Sequence, residues 1–194
     1  MRLLLHACCG PCLIEPLDGL RSEHDVTVYF ANPNIQPLEE FERRRTVVRD
    51  YAGLADVPVI EAAHEPERWL SAVDSVPGRP ERCRACYGVR FGMTAVAAAE
   101  AGFEGFATTL TVSPYQDALA IREVAEAAAA DAGVRYVHRD FRDRYRDAQR
   151  RATELGMYRQ NYCGCLPSKA EADADRAARR ARRGAARREG KSVR

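Results

Sequence analysis

Up to residue 138 the chain carries five short apolar runs: LLLHA at 3–7, VTVYFAN at 26–32, VPVIEAA at 57–63, GFATTL at 105–110 and VRYVH at 134–138. Each has the length and the aliphatic or aromatic content of a strand. Helical patterns separate most of them. Residues 38–55 place Leu38, Phe41, Val48, Tyr51, Ala52 and Ala55 at helical spacing. Glu39/Arg43 and Glu40/Arg44 are i,i+4 pairs expected on the solvent side of that helix. A second helix is predicted over 114–130, with Ser113 as N-cap, Pro114 at the first helical position, Gln116 completing a capping box and a stop near Gly133. Strands alternating with helices predict an α/β fold, a Rossmann-like three-layer domain with a parallel sheet and right-handed crossovers. Ligands of such sheets bind beyond the carboxyl ends of the strands. HACCGPC follows the first strand, NPNIQP the second and TTLTVSP the fourth, so these polar and thiol segments are expected to converge on one edge.

Composition changes this picture only at the C-terminus. Of the 194 residues 46% are apolar and 30% charged, which excludes collagen-like and wholly disordered classes. No apolar run approaches the roughly 18 residues of a membrane span, and the run in MRLLLHAC is far shorter than the 7 to 15 residues or so of a secretory h-region. A cytoplasmic protein without membrane contact is expected. After Ser168 the sequence turns Ala- and Arg-rich; from Arg176 onward nine Arg or Lys face one acid, Glu189. We therefore expect a domain over 1–168 and a basic, helical or disordered Arg-rich tail over 169–194. Such a run is either a solvated surface or an attractor for nucleic-acid phosphate.

The chemistry is concentrated in seven cysteines: Cys8, Cys9 and Cys12; Cys83 and Cys86; Cys163 and Cys165. An odd number rules out complete internal pairing, and clustered thiols in a reducing compartment more often hold metal or do redox chemistry. Cys9-Gly10-Pro11-Cys12 has the form of a thioredoxin site, but a two-cysteine exchange site needs neither Cys8 nor the downstream thiols. Cys9/Cys12 with Cys83/Cys86 match the ligand count of structural zinc, and the same spacing suits an iron–sulfur cluster. The surplus thiol in Cys8/Cys9 and the separate Cys163-Gly164-Cys165 tilt the reading away from structural zinc. An i,i+2 disulfide closes a small strained ring, which favours exchange over scaffolding, and Gly164 supplies the backbone freedom the ring needs.

In order, LLLHACCGPC, FANPNIQPLEEFERR, ERCRACYGVR, TTLTVSP and YRQNYCGC, spanning residues 3–166, resemble the cobalamin-independent epoxyqueuosine reductases of the QueH family. The basic tail lies outside the resemblance. It implies a HUP-type α/β fold and the last step of queuosine synthesis, in which epoxyqueuosine at the wobble position of a tRNA anticodon is reduced to the cyclopentene of queuosine. It also implies a [4Fe-4S] cluster on Cys8, Cys9, Cys83 and Cys86, with Cys163 and Cys165 as a redox-active pair fed by an unidentified electron donor. Cys12 either replaces Cys8 on the cluster or holds a second mononuclear metal, iron or zinc. His6, Asp117 and Tyr162 are candidate proton donors by motif proximity, and Asn32, Asn34, Arg159 and Gln160 carry hydrogen-bonding heads suited to a modified base. Two rivals remain. One is a structural zinc tRNA-binding module without catalysis. The other is an ATP-dependent tRNA thiolase, which lacks support because HACCGPC stands where its pyrophosphate loop belongs.

Overall fold

Leu3, Leu4 and Leu5 are fully buried in the first strand, which has to be covered on both faces. The computed structural model, which describes residues 1–76 and 78–192 with side chains to Arg183, shows how. Five strands, β1 (Arg2–His6), β2 (Asp25–Phe30), β3 (Val59–Glu61), β4 (Gly105–Thr108) and β5 (Arg135–Tyr136), form one sheet in the order β3-β2-β1-β4-β5. Every pairing is parallel, with Leu5 opposite Val28 on one side and Ala107 on the other. The order reverses at β1, so crossovers of one hand place helices on opposite faces. Helices α1 (Gly10–Arg21) and α2 (Leu38–Leu54) pack together on one face, and α6 (Tyr145–Glu154) covers α1. On the other face α4 (Glu81–Glu100) packs along α5 (Ala118–Ala132), and the short α3 (Pro66–Val73) leans on α4.

The five predicted strands are present; β1 keeps its predicted length but lies one residue earlier, and the other four are shorter. β4 stops at Thr108 because its hydroxyl accepts from the Leu110 amide at 3.2 Å, while Thr111 donates to the Thr108 carbonyl at 3.2 Å, turning 109–112 into a 3-10 turn. The helix expected from Pro114 begins instead at Ala118. Its N-cap is Asp117, whose Oδ1 accepts from the Ala120 amide at 3.0 Å; Ser113 ends the preceding 3-10 turn, and Gly133, at φ 69°, closes the helix. The helix α2 matches its expectation in extent and keeps Glu39 and Arg43 in solvent, but Leu38 of its expected apolar face is exposed and the second pair is not. Glu40 and Arg44 are buried as an ion pair at 2.7 Å.

A last helix, α7, runs over Leu166–Ser192 and crosses the residue-168 boundary without a break. The side chains of the basic run beyond Arg183 lie outside the described residues.

Candidate active site

β1 lies between β2 and β4, so the segments after these three strands meet at one sheet edge, as expected from their positions in the chain. Cys8 follows β1, Cys9 is the N-cap of α1, and Cys12 lies in its first turn. Gly10 is required here, because a Cβ would sit 2.4 Å from Val47 Cγ1 of α2. The three sulfurs lie within 4.8 Å of one another and all three residues are buried. Thr109 holds Cys8 from the β4 side, its hydroxyl accepting from the Cys8 amide at 3.3 Å and donating to the sulfur at 3.7 Å. Gln160 donates its side-chain amide to Cys9 Sγ at 2.8 Å.

Donation from Cys12 and Cys9 holds the Cys8 thiol well below its ordinary range, helped by the Arg90 charge. Burial pushes Cys9 up, and donation to Cys8 does the same to Cys12. The first thiolate of the group is thus Cys8, at a helix start where free backbone N–H groups also favour negative charge.

Cys83 and Cys86 lie in the first two turns of α4, one helical step apart. Cys86 is packed with Trp69 and Cys165, and burial pushes its thiol up to about 12. Among the described residues, the thiols of Cys83 and Cys86 do not join the 4.8 Å group, which contains Cys12 instead.

In the third thiol segment, Gly164 is buried at φ 148°, and a Cβ there would meet Asn34 Nδ2 at 2.8 Å. Its carbonyl accepts from the Gln36 amide at 2.9 Å. Arg44, 1% exposed, fastens the same loop, donating to the carbonyls of Cys163 at 2.8 Å and Tyr162 at 3.2 Å. Gln116 accepts from the Tyr87 hydroxyl at 2.7 Å, which turns its NH2 toward Cys163 Sγ at 3.6 Å. All seven cysteines are free thiols, so the disulfide expected between Cys163 and Cys165 is absent here.

A cavity of about 390 Å3 joins these parts, with Cys8, Cys12, Cys163, Gln116, Gln160 and Tyr162 among its lining residues. The structure separates the remaining candidates. Tyr162 lines the cavity and donates to the Gln36 carbonyl at 2.6 Å; burial holds its hydroxyl up at about 12. His6 is fully buried behind the edge, with Nδ1 2.9 Å from Thr108 Oγ1, and burial holds its pKa down to about 3, so it is neutral. Asp117 is committed to capping α5. Arg159 and Gln160 line the cavity. Asn32 does not; its amide donates to the Ala7 carbonyl and accepts from Arg90, both at 2.8 Å. Asn34 is buried beneath the Cys163-Gly164-Cys165 loop.

Arg90 was missed in the sequence, and Arg44 and Gln116 were read there only as a solvent-side pair member and a capping residue. Arg90, 1% exposed, is a buried cation whose charge acts on Cys8, Cys86 and Cys163. Its signal was its spacing: positions 83, 86 and 90 share one face of a helix.

Fold and site together define an α/β protein with an all-parallel sheet and a buried three-thiol group at the carboxyl edge that is able to hold a metal. One solved structure with this fold is a predicted subunit of a tRNA methyltransferase from Methanocaldococcus jannaschii, at a TM-score of 0.51, 10% identity and coverage of 79% of this chain and 76% of that one. Residues 3–171 match the family model for epoxyqueuosine reductase QueH, and the chain belongs to that family. Among its relatives, the epoxyqueuosine reductase QueH of Dehalococcoides mccartyi is 36% identical over 173 residues, covering 88% of this chain and 93% of the relative. That of Thermotoga maritima is 35% identical over 172 residues (84% and 88%), and that of Streptococcus pyogenes 35% over 175 (84% and 69%). None of these matches supports the zinc-module rival. Among the described residues no helix is long and apolar enough to cross a membrane.

Proposed function

We propose that this chain is a cobalamin-independent, cytoplasmic epoxyqueuosine reductase that converts the wobble epoxyqueuosine of a tRNA anticodon to queuosine. The observation that carries the reading is the meeting of two thiol groups, Cys8/Cys12 and Cys163, in one cavity of a chain of this family.

The donor set fits a thiophilic metal group, because buried sulfurs lie within 4.8 Å of one another beside a buried arginine that offsets their charge. Cys8, Cys9, Cys83 and Cys86 would hold a [4Fe-4S] cluster; the closeness of Cys12 to the first two supports a ligand role for it, on the cluster or on a second iron or zinc. When bound, the cluster supplies single electrons and a Lewis-acidic iron. The chain's own residues account for the rest of the balance. Epoxide to alkene takes up two electrons and two protons and releases water. Closure of the Cys163–Cys165 disulfide releases two electrons and two protons, and an unidentified electron donor reopens it. Arg44 and Gln36 hold the loop in place for that chemistry, and Tyr162 keeps a protonated hydroxyl at the cavity wall at neutral pH.

Anaerobically purified protein, assayed for iron and acid-labile sulfide and then incubated with reductant and epoxyqueuosine-containing tRNA, tests the reading by nucleoside mass analysis. A product lighter by one oxygen is expected. An iron-replete protein that leaves the epoxide intact would overturn it.

The tail belongs to the same reading, since Arg176 and Arg179 of α7 line the cavity. Removing residues 176–194 is expected to weaken tRNA binding and to flatten its salt dependence, by about 0.7 to 0.9 in log–log slope for each phosphate the tail neutralises, with iron content unchanged. Titrations over a salt series check this. Superimposable curves would reduce the tail to solvated surface.

A further inference from the structure

The cavity of about 390 Å3 is the size of a single small ligand, so only one nucleotide of an anticodon loop fits it and the neighbours have to lie on its rim. On that rim stands Tyr115, 73% exposed, whose ring is used neither by the core nor by the redox chemistry. The turn Ser113–Gln116 sets its direction. The Tyr115 amide donates to Ser113 Oγ at 3.3 Å and the Gln116 amide to the Ser113 carbonyl at 3.3 Å. Consecutive residues thereby part company: Gln116 turns inward to Tyr87 and Cys163, and Tyr115 outward to solvent.

Tyr145, at the start of α6, meets the Tyr115 ring edge to face, with centroids 5.9 Å apart and planes at 87°. Whichever ring supplies the edge, at least one face of Tyr115 stays free of Tyr145. The contact steadies the ring without covering it. Arg159, Arg176 and Arg179 line the same cavity. A braced aromatic face beside a ring of cations is the combination that holds single-stranded nucleic acid by base stacking and phosphate contact.

We propose that Tyr115, braced by Tyr145, is a stacking platform for the base next to the nucleotide inserted in the cavity. The proposal rests on the reductase reading for the identity of the inserted nucleotide. Its chemistry makes the preferred substrate an RNA loop rather than a nucleoside, and it makes Tyr115 a positioning residue. Stacking is indifferent to which base is presented.

The test uses the full chain and an anticodon stem-loop RNA carrying epoxyqueuosine, with 2-aminopurine placed on one side and then the other of the modified nucleotide. On wild-type protein one of the two reporters is expected to lose fluorescence on binding. Tyr115→Ala removes that quenching and weakens Kd by roughly 5- to 150-fold, the usual loss for one base stacked on an aromatic ring. The same loss appears in KM more than in kcat. Tyr115→Phe, which keeps the ring, restores both. Because Tyr115 is exposed, the alanine variant folds, and circular dichroism verifies this. Unchanged quenching and affinity in Tyr115→Ala, or a Phe variant as weak as the Ala one, would overturn the platform. Failure of the wild-type protein to reduce the stem-loop would count against the reductase reading instead, while the reporter binding still decides the platform.

Discussion

Cys86→Ala is expected to lose its iron and its epoxyqueuosine reduction together, with activity down by more than about 100-fold, because even residues that only orient a ligand cost 10- to 100-fold when removed. Cys86 lies among Trp69 and Cys165, and burial holds its thiol at about 12, so it is a neutral thiol until a metal displaces the proton. Removing a sulfur from a packed site leaves a small void, which costs far less than a domain's stability, so the loss would be in the metal and not in the fold. Iron and sulfide per chain, visible absorbance and circular dichroism separate the two. Full iron and sulfide in Cys86→Ala would remove it from the ligand set. Cys12→Ala gives the contrast: total loss of iron places Cys12 on the cluster, and partial loss with the cluster absorbance kept places it on a second metal. Iron unchanged makes it neither.

The geometry around these thiols explains which parts of the site were legible beforehand. Strands and their order-defining segments were readable because β1 is a continuous apolar run, as strands buried on both faces are, and because HACCGPC, NPNIQP and TTLTVSP follow three neighbouring strands. Cysteine clustering exposed the chemistry, since thiols have few other reasons to gather. What misled were polar residues whose role depends on tertiary partners. Glu40/Arg44 has the spacing of a surface pair, and only the loop at 162–165, far along the chain, turns it into a buried clamp. Ser113 and Gln116 satisfy a capping pattern, yet Gln116 is taken by Tyr87 and Cys163 and the cap passes to Asp117. Asn32 likewise looked like a base reader until Arg90 and the Ala7 carbonyl were seen to occupy its amide. Local pattern reports what a segment is able to form alone; long-range partners decide what it does form.

The clamp supplies the second large effect. Arg44→Met is expected to destabilise the protein by about 3 to 5 kcal/mol, since it strips a buried carboxylate of its partner. Among the described residues Glu40 would keep only the Tyr158 hydroxyl, which donates to its Oε2 at 2.7 Å. The same change leaves the carbonyls of Tyr162 and Cys163 without their donor and releases the loop that carries both redox thiols. Two consequences separate charge burial from loop clamping. Pairing Arg44→Met with Glu40→Gln removes the stranded charge and is expected to recover most of the missing stability in urea unfolding. Turnover stays low in the double variant, because neither new side chain reaches the loop carbonyls, and alkylation of Cys163 and Cys165 becomes faster than in the wild type. Arg44→Lys keeps the charge but not the fork that serves Glu40 and two carbonyls at once, so it falls between. Stability of Arg44→Met within about 1 kcal/mol of the wild type, the worth of an exposed pair, would show that the ion pair is not buried in solution and that the loop is held by other contacts.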